Sequence, residues 1–165
     1  MAQQENLREI LFGGQTFSWF EEAGKYKAVL NGTVYTISSL EDAESDPFLR
    51  SYFDLDYDYE KARREIRAKD DTLRSAVDLI GPIRILKQDE WTAAISFILS
   101  QNNNIKRITG LYRKLSVNYG KEVQPGYYAF PTPEELSSAT EEELRALGVG
   151  FRAPFILDAV KNFTV

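Results

Sequence analysis

Two apolar stripes separated by three asparagines constrain this chain most. Trp91, Ala94, Ile95, Ile98 and Leu99 recur at i, i+3, i+4, i+7 and i+8, one face of a helix. Ile105, Ile108, Leu111, Tyr112 and Leu115 repeat the pattern, which Gly120 ends. Between the stripes stands Asn102-Asn103-Asn104, with neither proline nor glycine nearby. Asparagine is a mediocre helix former, because its amide competes for nearby backbone groups. Three in a row therefore predict a turn between two packed helices. The amides either cap the two helix ends or, beside Lys106-Arg107, hydrogen-bond base edges and phosphates.

The first forty residues predict β structure. Asn31-Gly32 between Val29-Leu30 and Thr33-Val34 is a hairpin signal. Ala23-Gly24 predicts a second turn, after an alternating strand that begins at Gln15-Thr16-Phe17-Ser18-Trp19-Phe20. Together they predict an antiparallel meander from about Ile10 to Ile37. The period then changes. Ser45-Asp46-Pro47, Asp58-Tyr59-Glu60 and Asp70-Asp71 open helices, the last stopping at Gly81-Pro82. Gly81 to Lys87 reads as extended and as a candidate boundary. From Asp89 onward the pattern predicts helices throughout. Thr132-Pro133-Glu134-Glu135 and Thr140-Glu141-Glu142-Glu143 fit capping boxes, and Phe151 to Phe163 is a last helix. The expected architecture is α+β, with domains at 1–86 and 87–165.

Among these 165 residues there is no cysteine and no histidine. Disulfides, thiolate metal sites, zinc catalysis and histidine acid–base chemistry are excluded for them. No apolar run approaches a membrane span, and no basic-then-apolar leader opens the chain. A cytosolic protein is the expectation. The net charge of −5 argues against nucleic-acid binding through bulk charge. Its distribution does not: from Lys87 to Lys121 six cations face two acids, while acids gather in Glu41–Asp58 and Glu134–Glu143. Leu147-Gly148-Val149-Gly150 followed by Phe151-Arg152 either is a packing turn or lets the backbone approach an anion at a helix N-terminus.

These motifs, in this order, resemble one family. Ser96 to Gly110 (SFILSQNNNIKRITG) is similar to the signature segment of the 8-oxoguanine DNA glycosylases, in the helix-hairpin-helix glycosylase superfamily. Gly14-Gln15-Thr16-Phe17-Ser18-Trp19, Tyr52-Phe53-Asp54-Leu55-Asp56, Phe130-Pro131-Thr132-Pro133 and Leu147 to Ala153 resemble further elements. The resemblance implies a β-meander with packed helices, followed by part of an all-helical glycosylase domain. It implies base excision repair of 8-oxoguanine opposite cytosine in double-stranded DNA, by a monomer without cofactor or metal in the bacterial cytosol or nucleoid. Asn102 would fill the gap left by the flipped base. Arg107 and Arg152 would read the orphaned cytosine. Phe151 would wedge into the stack, and the Gly14 carbonyl would accept from N7–H of the oxidised guanine. Asn102, Arg107 and Arg152 should then share one solvent-exposed face.

In such enzymes a lysine attacks C1′ and an aspartate assists. The L-P-G-[IV]-G hairpin turn that precedes this lysine does not occur in these residues. The resemblance is to the N-terminal part of the enzyme, and the expectation is that this chain by itself carries no catalytic residue. A non-catalytic DNA-binding or scaffolding module is the alternative.

Overall fold

The structure, a computed structural model, describes residues 6–80 and 82–163. It forms two compact units. One takes the stretch ending at Gln15 together with Ile37–Lys87; the other takes Thr16–Thr36 together with the stretch from Gln88 onward.

The first unit is helical. Asn6 accepts from the Glu9 amide and starts α1 (Leu7–Phe12), where a strand was expected from Ile10 onward. A six-residue helix holds because Leu7, Ile10 and Leu11 share one face and bury it, a spacing too short to stand out beside the strand signals. Then follow α2 (Glu41–Glu44), α3 (Pro47–Tyr52), α4 (Tyr59–Lys69) and α5 (Asp71–Ile80). Asp46 and Asp58 cap α3 and α4 as the sequence predicts. The predicted stop at Gly81 lies outside the described residues; beyond it residues 82–89 run without regular structure. The Gln15 side chain clamps this run, donating to Arg84 O at 2.8 Å and accepting from Leu86 N at 3.1 Å.

Asp54 organises the rest of the unit. Its side chain is 14% exposed and pairs with Lys87 Nζ at 2.5 Å. The Tyr59 hydroxyl donates to its second oxygen at 3.0 Å, and Arg84 donates to its carbonyl at 3.0 Å. The Lys87 ammonium, then the Tyr59 hydroxyl, hold the Asp54 carboxyl below its ordinary range. A lowered folded-state pKa contributes stability that is complete above the unfolded aspartate value, about 3.9, and is lost as pH falls through the native value. Asp54→Asn keeps the size and the left-handed backbone tolerance. It is expected to destabilise this unit by about 1–3 kcal/mol at neutral pH. The gap to the unsubstituted protein should close in acid. Urea titrations at neutral and acid pH check this; a gap that stays constant would remove Asp54 from the network.

The second unit joins a small sheet to a helical layer. Strands β1 (Trp19–Glu22), β2 (Lys25–Leu30) and β3 (Thr33–Ile37) lie in the order β1-β2-β3. Trp19 pairs with Ala28 and Glu22 with Lys25 across an antiparallel register. Both turns are two residues long with both φ positive: Ala23 at 51° and Gly24 at 74°, Asn31 at 47° and Gly32 at 68°. This geometry matches the strand twist, and the turn residues announced it. The expected strand from Gln15 begins only at Trp19. Thr16, Phe17 and Ser18 are all buried, so they do not alternate. The Thr16 and Ser18 hydroxyls bond each other at 2.9 Å, a local side-chain bond that competes with strand pairing.

Helices α6 (Glu90–Ser100) and α7 (Ile105–Tyr119) carry the two stripes. After them comes a hairpin of β4 (Glu122–Gln124) and β5 (Tyr127–Tyr128), where helix was expected. Pro125-Gly126, with Gly126 at φ 82°, is its turn. Tyr127 anchors it: its hydroxyl donates to Glu22 Oε2 at 2.7 Å and accepts from Lys27 at 2.8 Å. Then α8 (Pro133–Leu136) and α9 (Glu141–Leu147) each start with a complete capping box. One 3₁₀ turn, Gly150–Arg152, leads into α10 (Ala153–Asn162). The core of this unit gathers Trp91, Ile95 and Leu99 of α6, Ile108, Leu111 and Leu115 of α7, Leu144, Val149 and Ile156. Trp91 satisfies its indole N–H on Pro131 O at 2.8 Å.

Candidate nucleic-acid interface

The three asparagines do three different things. Asn104 caps α7, its Oδ1 accepting from Arg107 N at 3.0 Å. Asn103 closes α6, donating from Nδ2 to Leu99 O at 2.9 Å. Asn102 takes the turn itself, at φ 46°, a left-handed conformation that asparagine tolerates better than most residues. Its exposed amide has no hydrogen bond among the described residues. Capping is therefore divided among neighbours: two amides build the turn and the third is left exposed.

Helix α9 ends on Gly148, whose φ of 102° and N–H bond to Arg145 O at 3.0 Å close the helix and reverse the chain. Val149 is fully buried and pins the turn to the core. Two cations of α7 reach the carbonyls that α9 leaves open: Lys114 donates to Leu147 O at 2.9 Å and Arg107 to Gly148 O at 3.4 Å. Cations suit the negative end of a helix.

Arg152 joins the two turns. Its guanidinium donates from Nε to Gln101 O at 3.1 Å and from Nη2 to both Gln101 O and Asn102 O. Nη1 donates to Val149 O at 3.0 Å. One N–H, on Nη1, remains of the five that a guanidinium offers. The side chain lies 4.4 Å from the Phe151 ring centroid, and Phe151 itself is 48% exposed. Arg152 was expected on an exposed face; it is 2% exposed. The carbonyls of two helix-ending turns have no helical partners of their own, and a planar fork can satisfy both at once. Burial, and then the charge of Arg107, lower the pKa of Arg152. Among the described residues no carboxylate pairs with it. A buried cation held only by carbonyls, with a second cation beside it, attracts acceptors and anions.

The structure thus brings Asn102, Arg107, Phe151 and Arg152 together at two adjoining turns. Gly14 belongs to the other unit, in the bend after α1, half-buried at φ 98°. The carbonyl acceptors at Gln101 and Val149 escaped the sequence because backbone oxygens have no residue signature. Lys114 could have been found: it lies about two turns beyond Arg107, on the same side of a helix without acids.

A helical layer whose asparagine turn and Gly-Val-Gly turn present amide, guanidinium and aromatic groups side by side fits a class of DNA repair proteins. Residues 95–164 match the HhH-GPD superfamily of base excision DNA repair proteins. Residues 1–93 match the 8-oxoguanine DNA glycosylase N-terminal domain, and the chain belongs to the 8-oxoguanine DNA glycosylase family. It is similar to the N-glycosylase/DNA lyase of Saccharomyces cerevisiae, 32% identical over 184 residues, covering 94% of this chain and 49% of that protein. The apo form of Clostridium acetobutylicum 8-oxoguanine glycosylase/lyase superposes with a TM-score of 0.82 at 31% identity, covering 96% of this chain and 60% of that one. The same enzyme in complex with double-stranded DNA containing cytosine opposite 8-oxoG matches at TM-score 0.82 and 31% identity, over 94% of this chain and 58% of that one. The chain spans about half the length of the curated relative, 49%.

Proposed function

We propose that this chain supplies the recognition part of a DNA N-glycosylase/AP lyase that removes 8-oxoguanine opposite cytosine. The convergence of Asn102, Arg107, Phe151 and Arg152 at two turns carries the reading. Cytosine's pairing edge offers two acceptors, O2 and N3, and an amino donor. Arg107 and the free N–H of Arg152 donate to the acceptors. Asn102 enters the space the flipped base vacates, where its amide can accept from N4–H. Phe151 fills the stack beside it, and extrusion of the damaged nucleotide is the step these groups support. Gly14 offers its carbonyl to N7–H, which oxidised guanine has and guanine lacks. The protein works on double-stranded DNA as a monomer.

No lysine of this chain is assigned the nucleophile, and no aspartate its helper. The 165-residue polypeptide is therefore expected to bind duplex DNA with 8-oxoguanine opposite cytosine more tightly than the undamaged duplex, yet to form no adduct trapped by borohydride. A trapped adduct abolished by one Lys substitution would place the nucleophile within these residues. Equal binding of damaged and undamaged duplex would favour a non-catalytic DNA-binding module.

A further inference from the structure

Helix α7 holds Lys106, Arg107, Arg113 and Lys114 and no acidic residue in fifteen positions, within a chain of net charge −5. Its buried face is Ile108, Leu111, Tyr112, Leu115 and Ser116. On the opposite face Lys106, Gly110 and Arg113 fall in line at i, i+4 and i+7, all exposed. Arg107 and Lys114, on the flank, are drawn to the carbonyls ending α9. The side chains of Lys106 and Arg113 have no hydrogen bond or ion pair among the described residues. Some cations of this acidic chain are ion-paired, Arg50 with Asp56, Arg67 with Asp78 and Arg145 with Glu141, but it is the absence of any acid on α7 that sets Lys106 and Arg113 apart.

Gly110 is the second, independent observation. It sits mid-helix, where glycine is among the least favourable residues. Its φ is not positive, and a Cβ there would meet nothing within 4 Å. Neither backbone strain nor packing among the described residues requires a glycine. Close approach by something from outside would.

We propose that this face of α7 is a further contact for the DNA backbone, in which Lys106 and Arg113 each pair with a phosphate and Gly110 lets the sugar–phosphate chain lie against the helix between them. Seven residues rise about 10.5 Å along a helix. The charges of one strand recur about every 3.4 Å of duplex axis, so two long cationic side chains at that separation can each meet a phosphate. A face with cations and no acid suits a polyanion, and it runs directly from the Asn102–Arg107 turn. The proposal rests on the DNA reading above; what it adds is a sequence-independent contact beside the lesion-reading turns.

The test measures binding of the 165-residue chain to two duplexes, one carrying 8-oxoguanine opposite cytosine and one undamaged, across a series of salt concentrations. Lys106→Gln combined with Arg113→Gln should weaken binding to both duplexes by the same factor. It should also reduce the slope of log K against log salt by about 1.8, at about 0.9 per phosphate. Gly110→Ala should raise the thermal midpoint by about 2–4 °C and yet weaken binding to both duplexes several-fold. An unchanged salt slope in the double variant, with the unsubstituted chain binding normally, overturns the proposal. A slope that falls as expected while the unsubstituted chain fails to prefer the lesion sinks the 8-oxoguanine reading alone. No binding by the unsubstituted chain overturns both.

Discussion

Arg152→Ala is expected to lose discrimination for cytosine opposite the lesion, by about 1–3 kcal/mol, the worth of a good base-edge contact. It should also destabilise the second unit by about 2 kcal/mol. Four hydrogen bonds from one guanidinium end on Gln101, Asn102 and Val149, and their carbonyls would be left open. Removing a buried cation that has no carboxylate partner offsets part of that loss. Arg152→Lys separates the two roles. It keeps the charge but cannot span two turns with one point-like ammonium, so discrimination should fall nearly as far as with alanine. Binding to duplexes with C, T, G or A opposite 8-oxoguanine, at two salt concentrations, checks this. An equal loss against all four bases, with a salt slope shallower by about one, would make Arg152 a phosphate contact.

The second large effect is on stability. Leu99→Ala should cost about 2–5 kcal/mol, because the side chain is fully buried in the core of the second unit. The expected fall in thermal midpoint is on the order of 10 °C. Leu99 is also the residue whose carbonyl Asn103 closes, so a cavity there loosens the base of the asparagine turn. Selectivity for the lesion should therefore fall with stability, and a cavity-binding apolar ligand such as benzene should restore part of both. A variant with normal stability would place Leu99 outside the core. One that is destabilised but fully selective would show that the turn stands without it.

The two stripes flanking Asn102 to Asn104, the paired turns at Ala23-Gly24 and Asn31-Gly32, and both capping boxes were legible because each rests on residues within four positions of one another. Such interactions are printed in the residue order. The elements that escaped were the short ones. Helix α1 owes its form to burial of Leu7, Ile10 and Leu11, and the β4–β5 hairpin to the bonds of Tyr127 with Glu22 and Lys27, about a hundred residues away. Local propensity is then a weak guide. The early strand failed for a related reason: Thr16 and Ser18 bond each other, which alternation does not reveal.

The candidate site divides along the same line. The types and spacing of Asn102, Arg107, Phe151 and Arg152 were determined by the sequence, and with them the family. That Asn103 and Asn104 build the turn while Asn102 stays free was decided by two helix ends meeting at fixed geometry. That Arg152 is buried, with one N–H to spare, was decided by tertiary structure alone. Its acceptors are backbone carbonyls some fifty residues away, at Gln101 and Asn102. A carbonyl is present at every residue, so only the packing of α6 against α10 selects which of them an arginine will meet.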